Sequence, residues 1–193
     1  EAEEFELERL VLASASPRRA EILRAVGWPF EAVAANVDET ARGDEEVTAY
    51  VERLACEKAE AVAEGRASGL VLGADTVVVV GGRMLGKPVD AEDARRMLGL
   101  LNGRWHDVLT GVALVRAETR DVLVAHELTR VRFAQMTDEE IDWYVATGET
   151  ADKAGAYAVQ GRAALFIEEI EGDYWNVVGL PVRLVYKLAR ESG

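Results

Sequence analysis

Short apolar runs and helical apolar stripes alternate along this chain. Residues 70–80 read LVLGADTVVVV, which is typical of a buried central strand, and residues 10–12 form a shorter run of the same kind. A helix is predicted over residues 45–63, because apolar positions spaced by three or four residues fall on one of its faces, in company with one lysine: Val47, Val51, Leu54, Lys58 and Val62. Strands and helices therefore alternate in the first half.

The second half of the chain favours antiparallel strands. Residues 107–115 and 123–133 predict a strand pair, and shorter strands are predicted over residues 30–37 and near residues 165–167. Caps and apolar spacing predict further helices at residues 18–26, 90–101, 138–147 and from 181 onwards. The fold class is α/β with a long mixed sheet. We expect a single domain over residues 1–193, made of two lobes around a deep cleft.

Composition narrows the possible partners. The net charge of −13 disfavours a nucleic-acid polymer, which is bound through clustered Lys and Arg, but it allows an anionic small molecule in a local cationic pocket. Cys56 is the only cysteine, so neither an internal disulfide nor a zinc cluster is expected. No apolar run is long enough to span a bilayer and the amino terminus is acidic, so we expect no membrane association and a cytoplasmic location.

The segment LASASPRR contains the parts of an anion-binding helix start. Ser16 is a candidate N-cap before Pro17, and the hydroxyls of Ser14 and Ser16 and the guanidinium groups of Arg18 and Arg19 stand beside it. Two cations in a first helical turn oppose the helix dipole unless an anion compensates them. A polyphosphate ligand is one interpretation. An ordinary cap with solvated or paired arginines is the other.

Two charged residues lie at positions that are otherwise apolar. Asp75 interrupts the strand of residues 70–80, where an unpaired carboxylate would be costly, so it needs a metal, a cation or a water-filled cleft. A structural Asp75 bonded to neighbouring backbone N–H groups is the alternative. Lys58 lies on the apolar helical stripe and either snorkels to solvent or reaches into a polar site. The nearby GGRMLGK matches the start of a Walker A loop, but Pro88 follows where Ser or Thr is required, so we reject an ATPase loop.

Five segments, in order and spacing, resemble those of the Maf family: LASASPRR, GADTVV, LGKP, DKAGAYAVQG and NVVGLP. The resemblance covers nearly the whole chain. It implies a nucleoside triphosphate pyrophosphatase, a hydrolase that cleaves between the α and β phosphates with the help of a divalent cation, Mg²⁺ or Mn²⁺. It also implies an α/β/α fold similar to that of inosine triphosphate pyrophosphatases.

The resemblance assigns roles to particular residues. Asp75 matches the family's proton acceptor and, with Glu39, a metal ligand. Lys58 and Lys87 are expected to be catalytic and, with Arg19, to handle phosphate. The positions associated with choosing the base are Arg18, Thr76 and Gln160.

The identity of the base follows from one side chain and from the family branch. The Gln160 carboxamide offers a donor and an acceptor, which match the edge of uracil or thymine. SPRR, ADT and the Gln-Gly pair resemble the dTTP/UTP branch of the family, so dTTP, UTP and modified pyrimidine nucleotides are the expected substrates. A nucleotide-binding regulator of cell division with little turnover is the alternative. His106 is interpreted as structural, with a general acid as the alternative, and a homodimer is left open.

Overall fold

A computed structural model describes residues 5–193. Its strands and helices largely follow the apolar runs and the helical apolar spacing of the sequence. The strands are β1 (Leu10–Leu12), β2 (Phe30–Ala32), β3 (Leu70–Val80), β4 (Arg83–Leu85), β5 (Trp105–Arg116), β6 (Val122–Phe133) and β7 (Ile167–Glu171). The helices are α1 (Pro17–Ala25), α2 (Val47–Ala63), α3 (Ala91–Leu101), α4 (Asp138–Ala146), α5 (Tyr174–Val178) and α6 (Val182–Ser192). Two 3-10 turns lie at Ala154–Ala156 and Arg162–Leu165.

The strands form one mixed sheet, as predicted. Its order is β2-β1-β3-β5-β6-β7, and β4 pairs with β3 outside this path. Strand β1 pairs in parallel with β2 and with β3, whereas β3–β4 and β6–β7 are antiparallel. The α/β class with a long mixed sheet is therefore confirmed.

The chain divides into two compact units. The first comprises the residues up to Asp75 together with Gly111–His126 and Gly179–Gly193. The second comprises Thr76–Thr110 and Glu127–Val178. Strands β3, β5 and β6 each contribute residues to both units, and the backbone passes between the units once more after Val178.

In the first unit, α2 lies unusually close to the sheet. A Cβ atom added at Gly73 would come within 2.0 Å of the Ala55 carbonyl oxygen, and one added at Gly111 within 2.2 Å of the Val51 carbonyl oxygen. Only glycine permits this approach of helix and strand backbones. A core of small and branched apolar side chains fills the interface, among them Ala59.

In the second unit, α3 packs against α4 and against the 3-10 turn Ala154–Ala156. The predicted capping box is present at the start of α4, because the Thr137 hydroxyl accepts from the Glu140 backbone N–H while the Glu140 side chain accepts from the Thr137 N–H. No helix of the described part of the chain is long and apolar enough to cross a membrane.

Several local features differ from the predictions. The strand predicted near residues 165–167 begins only at Ile167 and continues to Glu171, after a 3-10 turn that ends at Leu165. Strand β2 ends at Ala32 instead of residue 37, because it pairs only with the three residues of β1. Strand β4 was not predicted: Gly81 and Gly82, with φ values of 55° and 74°, make a tight turn that folds β4 back on β3. Helix α5 was also missed, since its five residues are too short to show a periodic pattern.

Candidate functional site

The centre of the first unit's candidate site is a lysine between two carboxylates. The Lys58 Nζ atom lies 2.9 Å from Asp75 Oδ1 and 2.9 Å from Glu39 Oε1. The side chains of Lys58 and Asp75 are each only 12% exposed, whereas that of Glu39 is 59% exposed. The Asp75 carboxylate therefore has the cation that its place in an apolar strand requires, and Lys58 reaches into a polar site instead of snorkelling to solvent.

The close approach of α2 to β3 explains this contact. Gly73 and Asp75 are two residues apart in β3 and so face the same side of the strand. Because α2 lies directly over Gly73, near Ala55 and Ala59, the Lys58 side chain of the same helix is within reach of Asp75. The glycine thus determines how far apart the lysine and the carboxylate are.

Glu39 lies in the irregular segment between β2 and α2, and a tyrosine holds it there. The Tyr50 hydroxyl donates to the Glu39 carbonyl oxygen at 2.7 Å. Burial raises the pKa of Tyr50 to about 12, and the nearby carboxylates of Asp75 and Glu39 act in the same direction. The hydroxyl therefore remains a donor at physiological pH.

A buried arginine lies next to this group. Arg19 is 9% exposed, and its guanidinium donates from Nε to the Gly179 carbonyl oxygen at 2.9 Å and from a terminal nitrogen to Ser14 Oγ at 3.3 Å. Burial lowers the pKa of Arg19, and the negative charges of Asp75 and Glu39 partly offset that effect. Arg19 is thus neither solvated nor part of an ordinary surface pair.

The start of α1 has the predicted cap geometry. Ser16 is the N-cap, and its Oγ accepts from the Arg19 backbone N–H at 3.4 Å. The Ser14 hydroxyl also accepts from the Ser16 backbone N–H at 3.2 Å. Arg18, half-buried, stands beside Arg19 in the first helical turn, where the two positive charges oppose each other. The first unit therefore brings together most of the predicted site residues: Ser14, Ser16, Arg18, Arg19, Glu39, Lys58 and Asp75.

The other predicted site residues belong to the second unit. Thr76 follows Asp75 in β3, and its hydroxyl lies 2.8 Å from the Thr110 hydroxyl. Lys87 is exposed in the loop after β4, and Gln160 is exposed in the irregular segment before the turn Arg162–Leu165. One backbone hydrogen bond joins these two loops, from the Gly155 N–H to the Gly86 carbonyl oxygen at 3.1 Å.

His106 has the structural role that the sequence suggests. It is 2% exposed, and its Nε2 atom lies 2.6 Å from the Tyr157 hydroxyl. Burial lowers the pKa of His106 to about 4, so the ring is neutral at physiological pH. A group with this pKa holds no proton to donate near neutrality, which argues against a general acid.

The two carboxylates fit a divalent cation of the kind that binds nucleotides. Asp75 and Glu39 converge on one positive centre, the Lys58 ammonium group. Among residues 5–193 no group of three or more His, Cys, Asp or Glu side chains could hold a metal. Mg²⁺ is commonly bound by one or two carboxylates together with substrate phosphates and water, so two carboxylates are sufficient.

The model of the family described as Maf-like protein matches residues 9–192. The chain belongs to the Maf family. Its Maf relatives include proteins named dTTP/UTP pyrophosphatase from Symbiobacterium thermophilum, 54% identical over 97% of this chain and 95% of the relative, and from Hahella chejuensis, 52% identical over 96% and 92%.

The fold of this Maf chain is also similar to that of solved structures. The Ham1 protein of Staphylococcus aureus matches with a TM-score of 0.51 and 14% identity over 93% of this chain and 100% of that one. The HAM1 protein of Coxiella burnetii matches with a TM-score of 0.54 and 16% identity over 96% and 100%. The predicted similarity to the inosine triphosphate pyrophosphatase fold is thereby confirmed.

Two groups that shape the candidate site were not predicted from the sequence. One is Tyr50, which lies eight residues before Lys58 on α2 and so near the same helical face; this spacing was a usable signal. The other is the Gly179 carbonyl oxygen, which binds Arg19 across 160 residues of sequence. No local pattern indicates such a contact.

Proposed function

We propose that this Maf protein hydrolyses dTTP and UTP to the nucleoside monophosphate and pyrophosphate. The main support is that the Lys58 ammonium group contacts the carboxylates of both Asp75 and Glu39. The chain is also about half identical to proteins named dTTP/UTP pyrophosphatase. A pure nucleotide binder has no need of a carboxylate held beside a lysine in this way. The geometry therefore favours turnover over the alternative, a regulator that binds nucleotide and hydrolyses little.

In the proposed reaction, Asp75 orients a water molecule and accepts its proton. The water oxygen forms a bond to the α-phosphorus, the bond from that phosphorus to the bridging oxygen breaks, and pyrophosphate leaves with the electron pair. Before substrate and cation bind, Lys58 holds the Asp75 carboxylate in place through its 2.9 Å contact. A positioned base of this kind accelerates a reaction by typically 10²–10⁴-fold.

A divalent cation, Mg²⁺ or Mn²⁺, would be held by Asp75 and Glu39. When bound, it would neutralise charge on the triphosphate and polarise the α-phosphoryl group. Lys58 would then turn from the two carboxylates towards phosphate oxygens, a change its flexible four-carbon stem permits.

The remaining cations would hold the phosphate chain. Arg19 is fixed by Ser14 and Gly179, so its guanidinium is already oriented before the substrate arrives. The capped start of α1 would add the Ser16 hydroxyl and the positive end of the helix dipole. Lys87 would provide a further positive charge for the departing pyrophosphate.

Base recognition is assigned to Gln160, with Arg18 and Thr76. The Gln160 carboxamide would donate to a base carbonyl and accept from the base N3–H, a pairing that uracil and thymine offer and cytosine does not. The support for this assignment is the exposed position of Gln160 and the names of the relatives.

A nucleotide panel tests the proposal. Purified protein is incubated with dTTP, UTP, CTP, GTP and ATP, with Mg²⁺, with Mn²⁺ or with EDTA, and pyrophosphate release is measured. We expect release from dTTP and UTP with metal and none with EDTA. Tight binding of these nucleotides without pyrophosphate release would instead favour the regulator. Release of inorganic phosphate in place of pyrophosphate would contradict the bond assignment.

A further inference from the structure

The segment that carries Gln160 lacks regular secondary structure. It runs from the 3-10 turn Ala154–Ala156 to the turn Arg162–Leu165. Ala156 has a φ of 66°, a left-handed conformation that is uncommon for a residue with a Cβ atom. Helix and sheet hydrogen bonds therefore do not define this backbone, and other contacts must hold it.

A backbone turn supplies one of those contacts, since the Gly161 N–H donates to the Ala158 carbonyl oxygen at 3.0 Å. Two side chains supply others, Tyr144 of α4 and Glu149 just after it. The Tyr144 hydroxyl donates to Glu149 Oε1 at 2.8 Å and accepts from the Ala158 backbone N–H at 3.1 Å. Glu149 Oε2 accepts from the Arg162 backbone N–H at 3.2 Å. The pair thus binds the backbone two residues before Gln160 and two residues after it.

The Glu149 carboxylate also lies directly against the residue that follows Gln160. A Cβ atom at Gly161 would come within 2.2 Å of Glu149 Oε1, so glycine is required for this contact. The Glu149 side chain is 16% exposed, and the Lys153 ammonium group donates to its backbone carbonyl at 2.9 Å. Glu149 is therefore fixed at both its backbone and its carboxylate.

We propose that Tyr144 and Glu149 are positioning residues that aim the Gln160 side chain at the base and so determine how strongly the enzyme discriminates among nucleobases. This inference rests on the proposed function, in which Gln160 contacts the base. A carboxamide pairs with a base edge only over a narrow range of distance and angle, so loss of either anchor weakens recognition of the preferred base.

The primary test compares Tyr144→Phe and Glu149→Gln with the unchanged protein. Phenylalanine removes only the hydroxyl, and glutamine replaces one acceptor oxygen with an NH₂ group, so both variants keep the packing. We expect the ratio of kcat/KM for dTTP to that for CTP to fall about three- to tenfold, the effect of one lost hydrogen bond. The change should lie in KM for dTTP, with kcat within about twofold because Asp75 and Lys58 are untouched.

Arg162→Ala is the matched control. It deletes a guanidinium that lies 3.9 Å from Glu149 Oε2 but keeps the backbone N–H that Glu149 binds. The ratio of kcat/KM for dTTP to that for CTP should be the same in this variant as in the unchanged protein. A fall as large as that of Glu149→Gln would overturn the inference, because it would reflect general loosening of the segment.

A double-mutant cycle with Gln160→Ala decides whether the anchors act through Gln160. We expect Tyr144→Phe to change the ratio no further once Gln160 is alanine. If Gln160→Ala changes the ratio while Tyr144→Phe and Glu149→Gln do not, the positioning inference fails and the proposed function stands. If Gln160→Ala leaves the ratio unchanged, base contact by Gln160 fails and the inference with it. Absence of pyrophosphate release by the unchanged protein would overturn the proposed function itself.

Discussion

The Asp75 group and the Gln160 segment are held in place by different means. Asp75 and Lys58 lie on a long strand and a long helix whose close approach determines their distance, and their contact is an ion pair. Gln160 lies on irregular backbone held by hydrogen bonds from Tyr144 and Glu149. Rigid elements suit the phosphate chemistry that all nucleoside triphosphates share. A separately anchored loop can change base preference without disturbing that chemistry.

Asp75→Asn should have the largest effect and should affect every nucleotide equally. The carboxamide keeps the size of the side chain and can still accept from Lys58, but it cannot take a proton from water. We expect kcat to fall on the order of 10²–10⁴-fold with the dTTP-to-CTP ratio unchanged. Steady-state kinetics measure both quantities, and a melting curve checks that the variant is still folded. Near wild-type turnover would remove Asp75 from the role of base.

Lys58→Met should come next, with a loss in kcat of roughly a hundredfold, as for removal of one group that stabilises developing charge. Without metal, Tm should also fall, because the buried Asp75 carboxylate loses its partner, and Mg²⁺ should recover part of that loss. Lys58→Arg, which keeps the charge, is the control for Tm. A normal kcat with a lowered Tm would mark Lys58 as purely structural.

The pH dependence of stability tests the buried state of His106, which lies in the second unit. Burial lowers the pKa of His106 to about 4 from its ordinary 6.5, so between these values the unfolded chain binds a proton that the folded chain does not. The resulting stabilisation is complete above about pH 6.5 and is lost as the pH falls towards 4, about 3 kcal/mol in all.

His106→Gln stays neutral throughout and can still bond to Tyr157. Urea unfolding at pH 7 and pH 4.5 should therefore show a smaller loss in the variant than in the unchanged protein. Equal losses in both proteins would show that His106 is not the titrating group.

Gln160→Glu should have the smallest effect on rate and the clearest effect on selectivity. A carboxylate loses the donor to the base carbonyl, while the phosphate contacts remain. One unpaired hydrogen-bonding group costs about 1–3 kcal/mol, so discrimination among UTP, dTTP, CTP and GTP should fall by roughly ten- to a hundredfold. The measurement is kcat/KM for the four nucleotides. An unchanged ranking with unchanged ratios would contradict the base-reading role.

Local sequence patterns predicted most helices and strands, but they did not predict which strands pair or over what length. The α/β class, the long strand β3 and the capped helices α1, α3 and α4 follow from apolar spacing and cap residues. Strand β2 is shorter than its alternating pattern suggests, because strand length depends on the neighbour, here β1. A pattern within one segment contains no information about the length of its partner.

The amino-acid sequence alone shows that Asp75 needs a metal, a cation or a water-filled cleft, that Lys58 lies on an apolar stripe, and that the segments of the Maf family occur in order. Burial cost and helical periodicity act within a few residues, so one segment suffices to see them. Only the tertiary structure decided that Lys58 and Glu39 meet Asp75, and that Tyr144 and Glu149 hold the backbone beside Gln160. Those contacts depend on the approach of helix to strand and on the path of irregular loops, which packing of the whole chain determines.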